Sequence, residues 1–148
     1  MSNQGERLPT ETTHRIRDAC LCLHTQRAAR ALARHFDQVM RPVGLTYGQF
    51  SLLNALNRPT PPSIAPVANL LAMDRTTLTA ALKPLVRRGL VIVEADPDDR
   101  RSRLLRLTNE GHRRLVQAAP LWDHAHAAIE ARLGQQAEAL RKALGAVA

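Results

Sequence analysis

Aromatic side chains are scarce in this 148-residue chain: one Trp, one Tyr and two Phe, 3% of the total. Stacking platforms for unpaired bases need such rings, so sequence-tolerant capture of single-stranded nucleic acid is not expected. Two cysteines are too few for a disulfide scaffold and suit a reducing cytoplasm. No stretch reaches the roughly eighteen uncharged apolar residues that a membrane span requires. The opening MSNQGERLPTETTHR lacks an apolar leader core, so neither insertion nor secretion is expected. P-loop, GxSxG, HExxH and paired-carboxylate patterns are all missing, so neither catalysis nor a cofactor is expected. His124-x-His126 lacks the four-residue spacing that lets two histidines share a zinc. His14, His24, His35 and His112 are scattered, so no metal site is expected either.

What the chain does have is apolar substance and positive charge. Apolar residues make up 45% of it, enough for the core of one domain. Its 21 Lys and Arg against 13 Asp and Glu give +8, with a pI near 11.1. That surplus favours a polyanionic partner, nucleic acid before an acidic membrane surface.

Residues 1–12 read as a loose polar arm. From Thr13 to Met40 there is neither Gly nor Pro. Leu21, Ala28, Leu32, Phe36 and Val39 recur at helical steps, which predicts one long amphipathic helix stopped by Pro42 and Gly44. Thr46 with Gln49 has the capping-box spacing and opens a helix that ends before Pro59. Ser63 is the next N-cap candidate, with Pro66 in the first turn of a helix from Ile64 to Leu71. After Ala72-Met73, Asp74 caps a further helix ending at Gly89. A short helix, a tight turn and a second helix form the helix-turn-helix outline. LVIVE over Leu90–Glu94 and RLLRL over Arg103–Leu107 read as two strands joined by Asp96-Pro97-Asp98-Asp99 turn chemistry. Thr108 opens a helical tail that Gly134 divides. The fold class is therefore mainly α with a small two-stranded β wing.

The run PSIAPVANLLAMDRTTLTAALKPLVRRGLVIVEADPDDRRSRLLRLTNEG resembles the core of MarR-type winged-helix transcriptional regulators. MDRTTLT, RRGLV and DPDDRRS…LTNEG are its most specific pieces, and RPVGLTYGQFSLL is similar to the junction before that core. The likeness extends over roughly residues 15–145. It implies a single MarR-like domain over 1–148, with 46–107 as the winged helix-turn-helix lobe and 13–41 and 109–148 as dimerisation helices. Homodimers, double-stranded DNA with a pseudo-palindromic operator, and repression released by a small molecule or an oxidant are further implications. Packing of Leu121, Trp122, Ile129, Leu133, Leu140 and Leu144 with the first helix across a two-fold axis would cover their apolar faces.

Arg75, Thr76, Thr77 and Thr79 crowd the start of the second helix-turn-helix helix, where side chains reach base edges in a major groove. Arg75 can fork onto a guanine, the threonine hydroxyls suit bases or phosphates, and Lys83 suits a phosphate. Ser63 at the start of the preceding helix joins this set. The plainer reading gives Thr76 and Thr77 to the helix's own first N–H groups. At the hairpin tip, Arg100, Arg101 and Arg103 stand beside Asp96, Asp98 and Asp99. They form either a solvated turn with local ion pairs or a minor-groove probe. The resemblance favours the probe, with Asp99 orienting Arg101. Arg87 and Arg88 serve either as backbone contacts or as cations at the helix's negative end. Pro84 inside this helix must bend it or cost roughly 3 kcal/mol. Ala72 stands where a turn glycine is common.

Cys20 and Cys22, two apart on a continuous helix, point about 200° from each other and could neither chelate one metal nor bridge. Peroxide-sensing relatives of the OhrR type carry a reactive Cys in this first helix, and Cys22 has a similar offset. Here a single Tyr, Tyr47, stands where that subgroup uses several. Burial as small core residues is the competing reading. Two further alternatives are a basic RNA-associated helical protein and a protein-interaction adaptor built on the same scaffold. The polar choice at Arg75, Thr79 and Lys83 argues against the adaptor.

Overall fold

A computed structural model of the chain describes residues 7–148. The backbone falls into two compact units, one up to His35 and one from Phe36 to Ala148. The first unit holds α1 (Thr10–Ala19) and most of α2 (Leu21–Met40). The expected arm therefore ends at Pro9, and its residues 1–6 lie outside the described part of the chain. The single helix predicted from Thr13 to Met40 is two helices. Cys20 leaves the helical region at ψ 106° while its N–H still bonds to the carbonyl of Ile16. Its thiol then takes the place of a capping side chain, accepting the Leu23 N–H at 3.4 Å, and its carbonyl accepts the His24 N–H at 3.1 Å. No Gly or Pro marks this break, so apolar spacing ran through it. None of the described residues up to His35 is buried.

In the second unit α2 ends in buried Phe36 and Met40, then a 3-10 turn at Arg41–Val43. Gly44 closes that turn at φ +67°, a conformation that costs a side-chain-bearing residue about 1–2 kcal/mol. The Thr46–Gln49 capping box is present in both directions at 3.1 Å and starts α3 (Tyr47–Leu56). After the proline-rich connector come α4 (Ile64–Leu71) and α5 (Arg75–Arg87). Ser63 holds the N-cap position of α4 without a capping hydrogen bond, and instead bridges to Leu104 of the wing.

Strands β1 (Val91–Ala95) and β2 (Arg103–Leu107) pair antiparallel, Val91 opposite Leu107 and Ala95 opposite Arg103. The first strand starts one residue later than its sequence suggested. Leu90 is taken by the helix stop: its N–H reaches back to the carbonyl of Leu85, and that of Gly89 to Val86, which closes α5 in a Schellman motif. Then α6 (Asn109–Leu133) begins at a Thr108 cap on Gly111 and α7 (Gln136–Gly145) follows Gly134, as the sequence divided them.

The core gathers residues from the end of α2, from α3 to α6 and from both strands: Met40, Leu53, Val67, Leu78, Leu85, Leu90, Leu105 and Leu115, among others. Burial of such a side chain contributes about 1.5–3 kcal/mol. Gly111 decides how closely α6 can approach. A Cβ there would sit 2.3 Å from the carbonyl oxygen of Leu90, so only glycine fits. Across that contact the Thr108 N–H donates to Leu90 at 3.1 Å and its hydroxyl to Gly89 at 2.6 Å. The end of α5, the first wing strand and the start of α6 are thereby locked to one another.

Candidate nucleic-acid interface

Helix α5 is fixed at both ends by polar contacts. At its start Asp74 accepts the Thr77 N–H at 2.7 Å and the Thr77 hydroxyl at 2.8 Å, which holds the Asp74 carboxyl below its usual range. The turn before it uses Ala72 at φ +51°, the left-handed position that glycine would fill more easily. At its far end Arg88 donates to the Gly44 carbonyl at 2.7 Å and to Gln49 Oε1 at 3.3 Å. Arg88 is thus a tie between elements. Pro84 falls in the C-terminal half of α5, which continues through it to Arg87.

Four-residue steps put Arg75, Thr79, Lys83 and Arg87 on one exposed stripe of α5. This stripe forms one wall of a groove of about 850 Å³. Leu82, Val86 and Val93 supply its apolar parts. The other wall is the wing tip, with Asp99, Arg101, Ser102 and Arg103, and Ser63 completes the end by α4. Five cations therefore line the groove against one carboxylate. None of the five takes part in an ion pair among the described residues.

The candidate residues divide into two groups. Ser63, Arg75, Thr79, Lys83, Asp99, Arg101 and Arg103 share the groove. Thr76, Thr77 and Arg100 are exposed but do not line it. Thr77 is occupied with the Asp74 cap, while the Thr79 hydroxyl donates back to the Arg75 carbonyl at 2.8 Å. Arg87, left open between two roles by the sequence, belongs to the groove. Its spacing from Arg75, three steps of four, was the available signal.

The wing tip is a hydrogen-bonded turn with no ion pair among the described residues. Asp96 accepts the Asp98 N–H at 2.9 Å, and Asp99 accepts the Arg101 N–H at 3.0 Å. Asp99 therefore positions Arg101 through its backbone, and the Arg101 guanidinium has no hydrogen-bond partner among the described residues. Arg103 folds back, donating to the carbonyls of Arg100 at 3.2 Å and Ser102 at 3.3 Å.

Neither cysteine is among the residues that line this groove. Cys20 is half-buried at the α1–α2 break, and Cys22 is exposed, with Gln26 Nε2 at 3.4 Å from its sulfur. Neither cysteine belongs to the buried core, so the core-residue reading is corrected for both. The argument that the two thiols must diverge on a continuous helix also fails, because the helix is interrupted at Cys20. No group of three metal-ligating side chains occurs among the described residues. No helix among them is long and apolar enough to cross a membrane.

Residues 43–102 match the MarR family. The transcriptional activatory protein BadR of Rhodopseudomonas palustris is 36% identical over 86 residues, 56% of this chain and 49% of BadR. The chain thus spans about half the length of that curated relative. The M. tuberculosis transcriptional regulator MosR, solved in complex with DNA, is 36% identical with a TM-score of 0.77, covering 85% of this chain and 92% of MosR. The transcriptional repressor CouR, solved on a 23-mer DNA duplex, is 28% identical with a TM-score of 0.79, covering 96% of this chain and 99% of CouR. CouR has also been solved bound to p-coumaroyl-CoA. With its helix-turn-helix in α4 and α5 and its wing in β1 and β2, the chain belongs to the MarR family.

Proposed function

We propose that the protein is a sequence-specific, double-stranded-DNA-binding transcriptional regulator that acts as a homodimer in the cytoplasm. The observation that carries this reading is the groove between α5 and the wing, with Arg75, Lys83 and Arg87 on one wall and Arg101 on the other. The stripe of α5 is assigned to the major groove, with Arg75 toward a base edge and Lys83 and Arg87 toward phosphates. Arg101 at the wing tip is assigned to the flanking minor groove, whose negative potential suits a projecting guanidinium. Nothing in this role calls for catalysis.

The dimer is supported by apolar side chains left in solvent: Ile16, Leu21 and Leu32 in the first unit, Leu140, Leu144 and Val147 at the C-terminal end. A second copy covering them is the assigned role of residues 13–41 and 109–148. Two-fold symmetry then spaces the recognition helices about one helical turn, 34–36 Å, or a multiple along a pseudo-palindrome. Repression relieved by an effector is the assigned mode. Such an effector acts by binding one spacing of the two lobes more tightly than the other.

The test is a salt titration of binding to a selected operator duplex, with structured RNA as competitor. Lys83→Ala should flatten the slope of log K against log salt by about 0.9 for each phosphate no longer neutralised, twice that in a dimer. Arg75→Ala should cost about 1–3 kcal/mol on the preferred site and relax the sequence preference there. Preference for RNA, a wild-type slope in Lys83→Ala, or unchanged affinity and sequence preference in Arg75→Ala overturns the reading.

Exposed Cys22 beside a helix break supports a second reading, release of DNA by thiol oxidation. Peroxide should then free operator DNA from the wild type and not from Cys22→Ser. Equal release, or none in either, dismisses it.

A further inference from the structure

A second cationic hollow sits where the Arg41–Val43 turn meets the first turns of α6, a cleft of about 470 Å³. None of its lining residues belongs to the groove of α5 and the wing. Arg41, Arg113 and Arg114 converge on it with Glu110 as the one carboxylate, so three positive charges face one negative. Glu110 is shared: Arg113 pairs with one of its oxygens and Arg114 Nε with the other at 3.0 Å. Arg114 also donates to the Val43 carbonyl at 2.9 Å. Arg41 is exposed and has no side-chain partner among the described residues. Gly44 lines the cleft bare of a side chain, and a Cβ on it would lie 3.1 Å from Arg114 Nη1.

Guanidinium groups packed into one concavity repel each other unless an anion joins them, and one glutamate leaves a surplus of two charges. A phosphoryl group matches that surplus. It carries close to two negative charges and offers the several oxygens that arginine forks engage pairwise. A single carboxylate would meet only half of it. We propose that this cleft binds the phosphoryl group of a soluble ligand. Occupancy competes with Glu110 for Arg113 and Arg114, and so acts on the turn that Arg114 holds through Val43. Arg88, the residue that closes the recognition helix, docks on the adjacent carbonyl of that same turn, Gly44. The ligand is thereby placed to bias α5 without touching it.

Binding of the phosphoryl group is measured first without DNA, so its failure and the failure of the DNA reading are distinguishable. The full chain is titrated calorimetrically with inorganic pyrophosphate at constant ionic strength. The same titration is made on Arg41→Ala/Arg113→Ala, on the milder Arg41→Gln/Arg113→Gln, and on Arg75→Ala/Lys83→Ala. Saturation at one per protomer is expected, weakened about tenfold or more in both cleft variants. In the groove variant it should be retained within about twofold. Unsaturable binding, unchanged affinity in the cleft variants, or loss confined to the groove variant overturns the proposal. Operator binding without pyrophosphate separates the two sources of phosphate. Wild-type salt slopes in the cleft variants are expected, whereas a flattened slope would assign the cleft to the DNA backbone and refute the soluble ligand.

Discussion

Replacing Asp99 by alanine sets two accounts of the wing tip against each other, because they predict opposite signs. If the tip acts on DNA only through its charge, removing a carboxylate beside a polyanion tightens binding. Two unit charges about 8 Å apart in water interact by roughly 0.5 kcal/mol, and salt near 0.1 M reduces this to a few tenths per protomer. If Asp99 acts as a positioner, its loss frees the Arg101 N–H that it holds at 3.0 Å. A hydrogen bond of this kind contributes about 0.5–1.5 kcal/mol net. Two tips in a dimer then weaken binding by about 1–3 kcal/mol, roughly five- to hundredfold. Asp99→Asn keeps an acceptor oxygen and should recover much of the loss. Fluorescence anisotropy on an operator duplex, at two salt concentrations, reads all three proteins. Equal or tighter binding by Asp99→Ala would refute the positioning account, and with it the assignment of Arg101 as a held probe.

Three further outcomes follow from the backbone and its caps. Gly111→Ala must move α6 off Leu90, whose carbonyl oxygen would be 2.3 Å from the new Cβ. Helix propensity favours alanine by about 1 kcal/mol, yet the clash should leave a net loss of about 1–3 kcal/mol, or roughly 3–10 °C in Tm. A variant as stable as wild type would show that this approach has slack. Ala72→Gly relieves a left-handed alanine at about 1–2 kcal/mol and adds about 0.4–1 kcal/mol of unfolded-state entropy. Urea midpoints should therefore rise modestly at an unchanged m-value, and a fall would contradict the strain. The Asp74 carboxyl is held low by Thr77, so its folded pKa lies below its unfolded one. Its capping contribution is complete above the unfolded pKa, near 4, and disappears as pH falls through the folded value. The stability gap between wild type and Asp74→Ala should be flat above about pH 5 and narrow below pH 4. A gap that stays constant to lower pH would mean the carboxylate is not what caps the helix.

Local chemistry is what made most of this fold legible. Thr46 with Gln49, Asp74, Thr108, Gly44 and Gly89 each start or stop an element through bonds within a few residues, and each stands where the sequence placed it. The α1–α2 break escaped because the cap is a cysteine sulfur, a weak acceptor that no capping preference flags. Strand β1 was displaced by one residue because Leu90 closes the preceding helix, a competition that β-branched composition does not register. At the candidate interface the α5 stripe followed from four-residue spacing. Of the two readings of the wing tip, local ion pairs are absent among the described residues, and Asp99 holds the Arg101 N–H, a backbone bond that spacing alone does not specify. Least legible were the arginine ties, since Arg88 reaches Gly44 and Arg114 reaches Val43 across long stretches of chain.

Those ties connect the end of the recognition helix to the turn before α3 and to α6. Gln49 Oε1 accepts the Thr46 N–H at 3.1 Å and Arg88 Nη1 at 3.3 Å, so one oxygen joins the N-cap of α3 to the C-terminal end of α5. The next step passes through adjacent peptide groups: Arg88 holds the Gly44 carbonyl and Arg114 of α6 holds that of Val43. Both guanidiniums are donors with no acceptor of their own, so they attract the turn and repel each other. Gly44, lacking a Cβ, lets them approach the same turn from two sides. An arrangement held by two like charges on one short turn responds to any anion that draws one of them away. Loss of the Arg114 bond frees the Val43 carbonyl, next to the Gly44 carbonyl that holds Arg88 at the end of α5. Control of α5 through α6 therefore requires no contact with the groove, only a competitor for Arg114.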